Sequence, residues 1–532
     1  MPSALTYPGV YVEEIPSGVR TIAGVATSIA AFVGFAPTGP VDKATTITSF
    51  ADFQRLYGGV SHDYPMGYAV RDFYQNGGGT AVVVRTYAAP AASETGHLVN
   101  GDFKLDAASA GTWAKNLRIR VDTKGITDQT ATDVGVSNKN KLYNLTVVVL
   151  DDNKNPVTSE QYNLLTSEDT PNRVDRALAG SNLVVLTSTP DKLPSANADA
   201  AANKTVWDES AADFSKSSTT LTNTDKLADS GAFWSGGVGD PSTRTGIYAL
   251  DRVDIFNLLC LAPEGRDGDV PASAYQSALA YCVKKRAMLL VDPPNAWKKV
   301  ADASGGVDGL GLNGPAARNA AIYFPRVIEA DSTRGGMLQN FVPSGLVAGV
   351  MARTDVSRGV WKAPAGVDAA LSGISGLTVP MNDDENGELN PLGINCLRTF
   401  PIIGSVIWGA RTMRGANLLG DEYKYVPVRR LALFIEESLY RGLQWVVFEP
   451  NDEPLWSQIR LNAGAFMNGL FREGAFQGGS PRDAYFVLCD KTTTTQNDIN
   501  LGIVNVIVGF APLKPAEFVV LKIQQMAGQI QT

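Results

Sequence analysis

Between residues 254 and 330 the chain alternates two hydrophobic rhythms: DIFNLLCLAP, then SAYQSALAYCVKKR, then AMLLVDPP, then NGPAARNAA, then IYFPRVIEA. The first, third and fifth runs read as strands, and the second and fourth as helices between them. Parallel strands need a crossover connection and the helices supply it, so the segment predicts an α/β unit with a parallel sheet. A chain of 532 residues exceeds one such core, and its length predicts about three or four domains. With 44% hydrophobic and 19% charged residues the chain has the balance of a folded globular protein.

Before this unit, YPGVYVEEI at 7–15 is extended in character, bounded by Pro8, Gly9 and Pro16, with no hairpin partner nearby. A strand at 29–35, the turn PTGP at 37–40, a short helix in SFADFQRLYGG stopped by Gly58, and a helix at 66–74 follow. The NGGG turn at 76–79 then leads into AVVVR at 81–85, a fully buried strand. From Ala88 to about Gly239 the composition shifts to Ser, Thr, Asn, Asp and Ala, with strand signals at 117–121, 145–150 and 183–186, which predicts an inserted, mostly β domain. In the last third a helix is expected at 428–440 and a strand in QWVVFEP ending at Pro450. Asn451 is expected to cap a long helix with Asp452, Glu453 and Pro454 in its first turn and Leu455, Ile459, Phe466, Leu470 and Phe471 on one face. Strands AYFVLCD and GIVNVIVGFAP come next, and the final segment begins with strand-forming residues 518–523.

Little here supplies chemistry. The two histidines, His62 and His97, neighbour no nucleophile motif. The glycine run 77–79 precedes a strand, whereas a phosphate loop precedes a helix, so it reads as a turn. Asp383, Asp384 and Glu385 lack the alternation of a calcium loop and read as a solvated polar loop. Four dispersed cysteines without CxxC spacing read as buried thiols of a reducing compartment. A net charge of -8 without a block of Lys or Arg argues against a nucleic-acid partner. The start has no basic and apolar export signal, and the uncharged stretch 21–41, rich in Ala, Gly, Thr and Ser, reads as a buried strand with turns and not as a membrane span. No catalytic residue, metal or cofactor is therefore expected. The rival to a structural role is a nucleotide-binding or hydrolytic enzyme on the 254–330 unit, with APEG at 262–265 and DPPN at 292–295 at the carboxyl ends of its strands.

The two terminal segments say more. An extended segment without a local partner leaves backbone N–H and C=O groups unpaired, and these must find a sheet edge. That edge belongs either to a neighbouring subunit or to the segment's own subunit, and composition leaves both open.

Several motifs resemble the tail sheath family of contractile phage tails and related injection systems. They include YPGVYVEEIPSGVRTI at 7–22, VGFAPTGP at 33–40, NGGGTAVVVR at 76–85, GVWKAPAG at 359–366 and INCLRTFPIIGSVIWGART at 394–412. YVPVRRLALFIEESL at 425–439, WVVFEPNDEPLW at 445–456, GAFQGGSPRDAYFVLCD at 474–490 and VGFAPLKPAEFVVLKI at 508–523 continue the series. The region from about 90 to 240 carries no such resemblance. The resemblance implies a helical homo-oligomer of stacked rings around an inner tube, with baseplate and cap proteins as further partners and no direct membrane insertion. Contraction of this sheath would drive the tube through an envelope, in a particle assembled in the cytoplasm. It further implies that Val10, Tyr11 and Val12 at one end, and Val519, Leu521 and Ile523 at the other, add strands to neighbouring subunits, and that the C-terminal part faces the tube. Asp452 and Glu453 are candidates for that contact, although the same carboxylates equally complement their helix dipole.

The expected fold is thus an α+β multidomain chain with a discontinuous α/β core. Its parts are a linking arm at 1–22, core at 23–90, a β-rich outer insert at 91–240, an α/β sheath domain at 241–380, a tube-facing inner domain at 381–512 and a second arm at 513–532.

Overall fold

A computed structural model describes residues 20–87, 97–100, 103–151, 153–188, 190, 192–208, 218–220, 233–234 and 237–522. Its largest element is an eight-stranded sheet. The strand order is Gly404–Ile407, Ile394–Phe400, Ala320–Phe324, Met288–Val291, Leu258–Leu261, Ala30–Gly34, Ala81–Arg85 and Thr45–Ile47. The six inner strands are parallel, and one antiparallel strand closes each edge. Sheets buried on both faces select uninterrupted apolar runs, and AAFVG, AVVVR, LLCL, MLLV and AAIYF are buried at every position. Alternate residues feed two cores: Ala31, Val33, Leu259 and Leu289 pack on one side, and Ala30, Phe32, Leu258 and Leu290 on the other.

Helix Ala272–Lys285 makes the crossover between Leu258–Leu261 and Met288–Val291. On the opposite face helices Met66–Gln75 and Ser344–Arg358 lie in backbone contact. Gly345 and Gly349 permit this, since a Cβ there would stand 2.2 Å from the Ala69 carbonyl oxygen and 2.5 Å from that of Phe73. The sheet draws on distant parts of the sequence, and it includes 394–400 and 404–407, which fall within the stretch expected to form the inner domain.

Several local expectations differ from the structure. NGPAARNAA forms a single 3-10 turn, Pro315–Asn319, because Pro315 and Gly314 at φ +71° leave too few residues for a helix. IYFPRVIEA is two strands: Pro325 ends Ala320–Phe324, and Val327–Asp331 joins a separate three-stranded sheet with Met337–Phe341 and Gly376–Leu377. Residues 383–385 are no loop but the first turn of the helix Asp383–Leu389, with Asn382 accepting from the Glu385 N–H.

Between the strands Ala81–Arg85 and Leu258–Leu261 the chain builds two further sheets. One is three-stranded, from His97–Asn100, Phe103–Ala107 and Val184–Ser188. The other is four-stranded, from Thr219–Thr220, Leu117–Asp122, Tyr143–Leu150 and Pro156–Leu165. They share a core of their own that includes Phe103, Ile119, Leu145 and Val184. The buried Arg85 guanidinium joins this region to the main body by donating to the carbonyls of Ala36 (2.8 Å), Gly39 (2.7 Å) and Ala110 (2.8 Å).

The C-terminal region packs helix Val426–Gly442 against the long helix Glu453–Arg472 and a two-stranded sheet, Tyr485–Leu488 with Ile507–Phe510. QWVVFEP is no strand: a 3-10 turn at Gln444–Val446 leads to an exposed loop in which Phe448 takes φ +70°. Among the described residues it pairs with no strand. The cap of that helix is Asp452 and not Asn451, with the Asp452 carboxylate accepting from the Leu455 N–H at 3.3 Å. Asn451 instead donates to the Ile503 carbonyl (3.0 Å) and accepts from the Trp456 indole (2.8 Å). No helix among the described residues is long and apolar enough to cross a membrane.

Candidate functional site

The two-stranded sheet is unfinished. Tyr485, Val487, Val508 and Phe510 pack inward on a cluster formed by Leu431, Met467, Leu470 and Phe476. Phe486 and Ile507 on the other face are 50% and 49% exposed. Two strands are marginal alone in water, and among the described residues neither outer edge has a partner strand. Nearby, residues 513–522 run on without helix or strand, and Phe518, Val519, Val520 and Leu521 are all exposed, Val519 and Leu521 at 81% each. Four consecutive β-favouring apolar side chains in water, beside a sheet short of strands, is a complementary arrangement.

One residue of that segment is tied down. Arg411 is fully buried, and its Nε and Nη2 donate to the two carboxylate oxygens of Glu517 at 2.7 and 2.6 Å. The Tyr425 hydroxyl donates to the same carboxylate at 3.0 Å. Burial pushes the Glu517 carboxyl up, but the hydrogen bonds and charge of Arg411 outweigh this and hold it below its ordinary value.

At the other end residues 20–27 lie against the helices Val426–Gly442 and Glu453–Arg472 of their own subunit. The Arg20 N–H donates to Asn462 Oδ1 (3.0 Å), the Val25 N–H to Ser438 Oγ (3.2 Å), and buried Ile22 rests on Gly442, where a Cβ would come within 2.5 Å of it. Arg430, paired with Asp355 inside the protein, also donates to the Thr27 carbonyl at 2.9 Å. Arg20 and Ile22, expected in the arm 1–22, therefore already pack on the body.

Of the residues expected in the arm strands, Val519 and Leu521 are exposed and unpaired among the described residues. Val10, Tyr11, Val12 and Ile523 lie outside those residues. Asp452 and Glu453 both have partners within the subunit, the Leu455 N–H and the Arg460 guanidinium at 2.5 Å. Two features are not foreseen from sequence. One is the Arg411 and Glu517 pair, which no local pattern in the sequence marks. The other is Phe448, 103% exposed at a loop tip and hidden inside an apparent strand.

The enzyme alternative meets a closed site. At the carboxyl ends of the parallel strands, buried Asp292 accepts from the Ser344 N–H (2.9 Å) and Oγ (2.8 Å). Arg326 donates to the Pro293 carbonyl (3.0 Å) and Asp269 (2.5 Å). Burial pushes the Asp292 carboxyl up to about 7. The cavity between Pro263, Tyr275, Asp292 and Arg326 holds about 10 Å³, space for about one water and not for a nucleotide.

Residues 271–413 match the phage tail sheath protein central domain, and residues 420–526 match the phage tail sheath C-terminal domain. No curated protein matches the chain. Among solved structures the chain is similar to the contracted sheath complex of PVC, an extracellular contractile injection system. That match has 22% identity, covers 98% of each chain and has a TM-score of 0.57. It is similar to the contracted helical sheath of the anti-feeding prophage at 24% identity, covering 98% of this chain and 100% of that one, with a TM-score of 0.54. A sheath tail protein from Listeria innocua shares 14% identity over 93% of this chain and 96% of its own, with a TM-score of 0.57. At these identities the likeness is one of fold.

Proposed function

Because the chain carries the phage tail sheath central and C-terminal domains and belongs to that family, we propose that it is the structural subunit of a contractile sheath and that copies are linked by exchanged strands. It is not an enzyme. Subunits stack helically around an inner tube, and contraction drives the tube through a target envelope, in a phage tail or a related particle assembled in the cytoplasm. Baseplate and cap proteins bound the polymer at its ends. The observation that carries this reading is the two-stranded sheet, whose outer edges pair with no strand among the described residues and which exposes Phe486 and Ile507, in a subunit whose apolar segment 518–521 is likewise unpaired among those residues. A strand added from a neighbour satisfies both, burying apolar side chains and adding backbone hydrogen bonds of about 1 kcal/mol each. Val10, Tyr11 and Val12 from one neighbour, and Val519, Leu521 and Ile523 from another, are the donated residues in this scheme. Asp452 and Glu453 stand at the start of the long helix as the candidate contact with the tube.

The test is truncation. Removing residues 1–19, or 518–532, leaves the melting temperature of the subunit within a few degrees of the full chain and abolishes long hollow polymers in negative-stain images. Normal polymers from either truncation would refute exchange by that arm.

A further inference from the structure

Beyond the unpaired segment itself, the structure shows where it becomes free. Backbone pairing of the C-terminal strand ends with the bridge between Phe476 and Pro512 and the bond from the Gln477 N–H to the Ala511 carbonyl at 2.9 Å. Residues 513–516 form no backbone hydrogen bond with another described residue. Glu517 then docks into the body again, and everything described beyond it is exposed.

The receiving site is built for this one carboxylate. Arg411 Nη1 is occupied by the Asn390 carbonyl (2.7 Å), the Gly415 carbonyl (3.3 Å) and Asn417 Oδ1 (2.9 Å), so Nε and Nη2 are left facing Glu517. The backbone of Arg411 is itself held on both sides by Asn395, which accepts from its N–H at 2.6 Å and donates to its carbonyl at 2.8 Å. A bidentate arginine–carboxylate pair fixes position and orientation together. Leaving the arginine buried without its partner is strongly unfavourable.

We propose that Glu517 is a register-setting residue: locked to Arg411, it fixes the point at which the C-terminal arm leaves its subunit. It thereby fixes which of residues 518–522 faces which residue of the acceptor sheet. This rests on strand donation as proposed above. Side chains alternate along a strand, so a slip of one residue turns every apolar side chain to the wrong face. A donor tethered only at Pro512, with four unpaired residues before Glu517, has slack to slip; a donor tethered at Glu517 has none.

The test compares two insertions of one alanine. Inserted after Glu517, it leaves the clamp intact and displaces the donated strand by one position, and polymer yield falls by about tenfold or more, the equivalent of 1.4 kcal/mol. Inserted after Lys514, it enlarges a segment without backbone bonds, Glu517 still docks, and yield stays within about twofold of the full chain. Equal losses from the two insertions, or none from either, overturn the proposal.

The clamp is read separately in the unassembled subunit. Spin labels on V519C and exposed Asp384→Cys report one narrow distance, since the four native cysteines are buried. The distribution broadens in Glu517→Gln and narrows again in Glu517→Asp, which restores the charge. An unchanged width in Glu517→Gln overturns the clamp. Polymers formed without residues 518–532 overturn strand donation instead, whatever the labels report.

Discussion

The eight-stranded sheet and the two-stranded sheet solve the same problem in opposite ways. The large sheet ends in antiparallel edge strands of only three and four residues, and helices cover both its faces. The small one has no covering strand among the described residues, one apolar face half in water, and a loose apolar segment in the same subunit. A sheet that completes itself stabilises a subunit, whereas a sheet that does not is an instruction to associate. The cavity at the ends of the parallel strands, of about 10 Å³, leaves this α/β unit no room there for a nucleotide, and in the proposed exchange the contacts between copies fall instead on the small C-terminal sheet.

The sharpest way to break this comparison is one apolar substitution in each sheet. Phe32 is buried and lies edge-on to Phe73 at 5.5 Å, so Phe32→Ala is expected to destabilise the subunit by about 3–5 kcal/mol in denaturant unfolding. Ile507→Ser, at a side chain half in water, is expected to change the same quantity by less than about 1 kcal/mol while reducing polymer formation. A large loss of subunit stability from Ile507→Ser would mean that the small sheet belongs to the subunit's own core.

How legible these two sheets are in the sequence differs for the same reason. AVVVR and AMLLVDPP can be read directly because strands buried on both faces carry near-continuous apolar runs, broken within the first strand only by its last residue, Arg85. QWVVFEP has an equally β-favouring apolar run, WVVF, and is a turn and a loop, since composition reports what a segment tolerates and not whether an edge lies beside it. Residues 518–521 read as strand-forming without a partner, and in the described residues they have none. The Arg411 and Glu517 pair is illegible because 106 residues separate its members and only the fold brings them together. Asn451 and Asp452 are both good cap residues, and only the side-chain geometry chooses between them.

A smaller effect comes from a buried charge cluster that joins the helix Met66–Gln75 to the strand Val327–Asp331. Asp72 and Glu329 are both buried and share the guanidinium of Arg71. One cation serves two carboxyls, and burial, followed by the charge of Asp72, raises the Glu329 carboxyl above its ordinary value of 4.5. A carboxyl raised in the folded state gives stability that is complete below the ordinary value and is lost as pH climbs through the raised one. Stability should therefore fall between about pH 5 and about pH 9, by about 1 kcal/mol or more in total. Glu329→Gln removes that titration and flattens the profile, as urea unfolding at several pH values would read. An equally steep decline in the variant would place the cause elsewhere.

The smallest effect separates self-completion from association within the C-terminal region. Asp452 accepts from the Leu455 N–H, and a lost helix cap is worth about 1 kcal/mol, so Asp452→Ala should lower subunit stability by that amount. Asp452→Asn keeps an accepting oxygen at the same place and should leave stability nearly unchanged. The two substitutions remove the same charge, so their effects on binding to tube subunits answer a different question. If both weaken co-sedimentation with assembled tubes, and added salt weakens the binding of the parent chain in the same way, the carboxylate reaches outward to the tube. If only the alanine variant binds less, the carboxylate serves the helix alone, and the outward contact moves to the neighbouring exposed loop that carries Phe448.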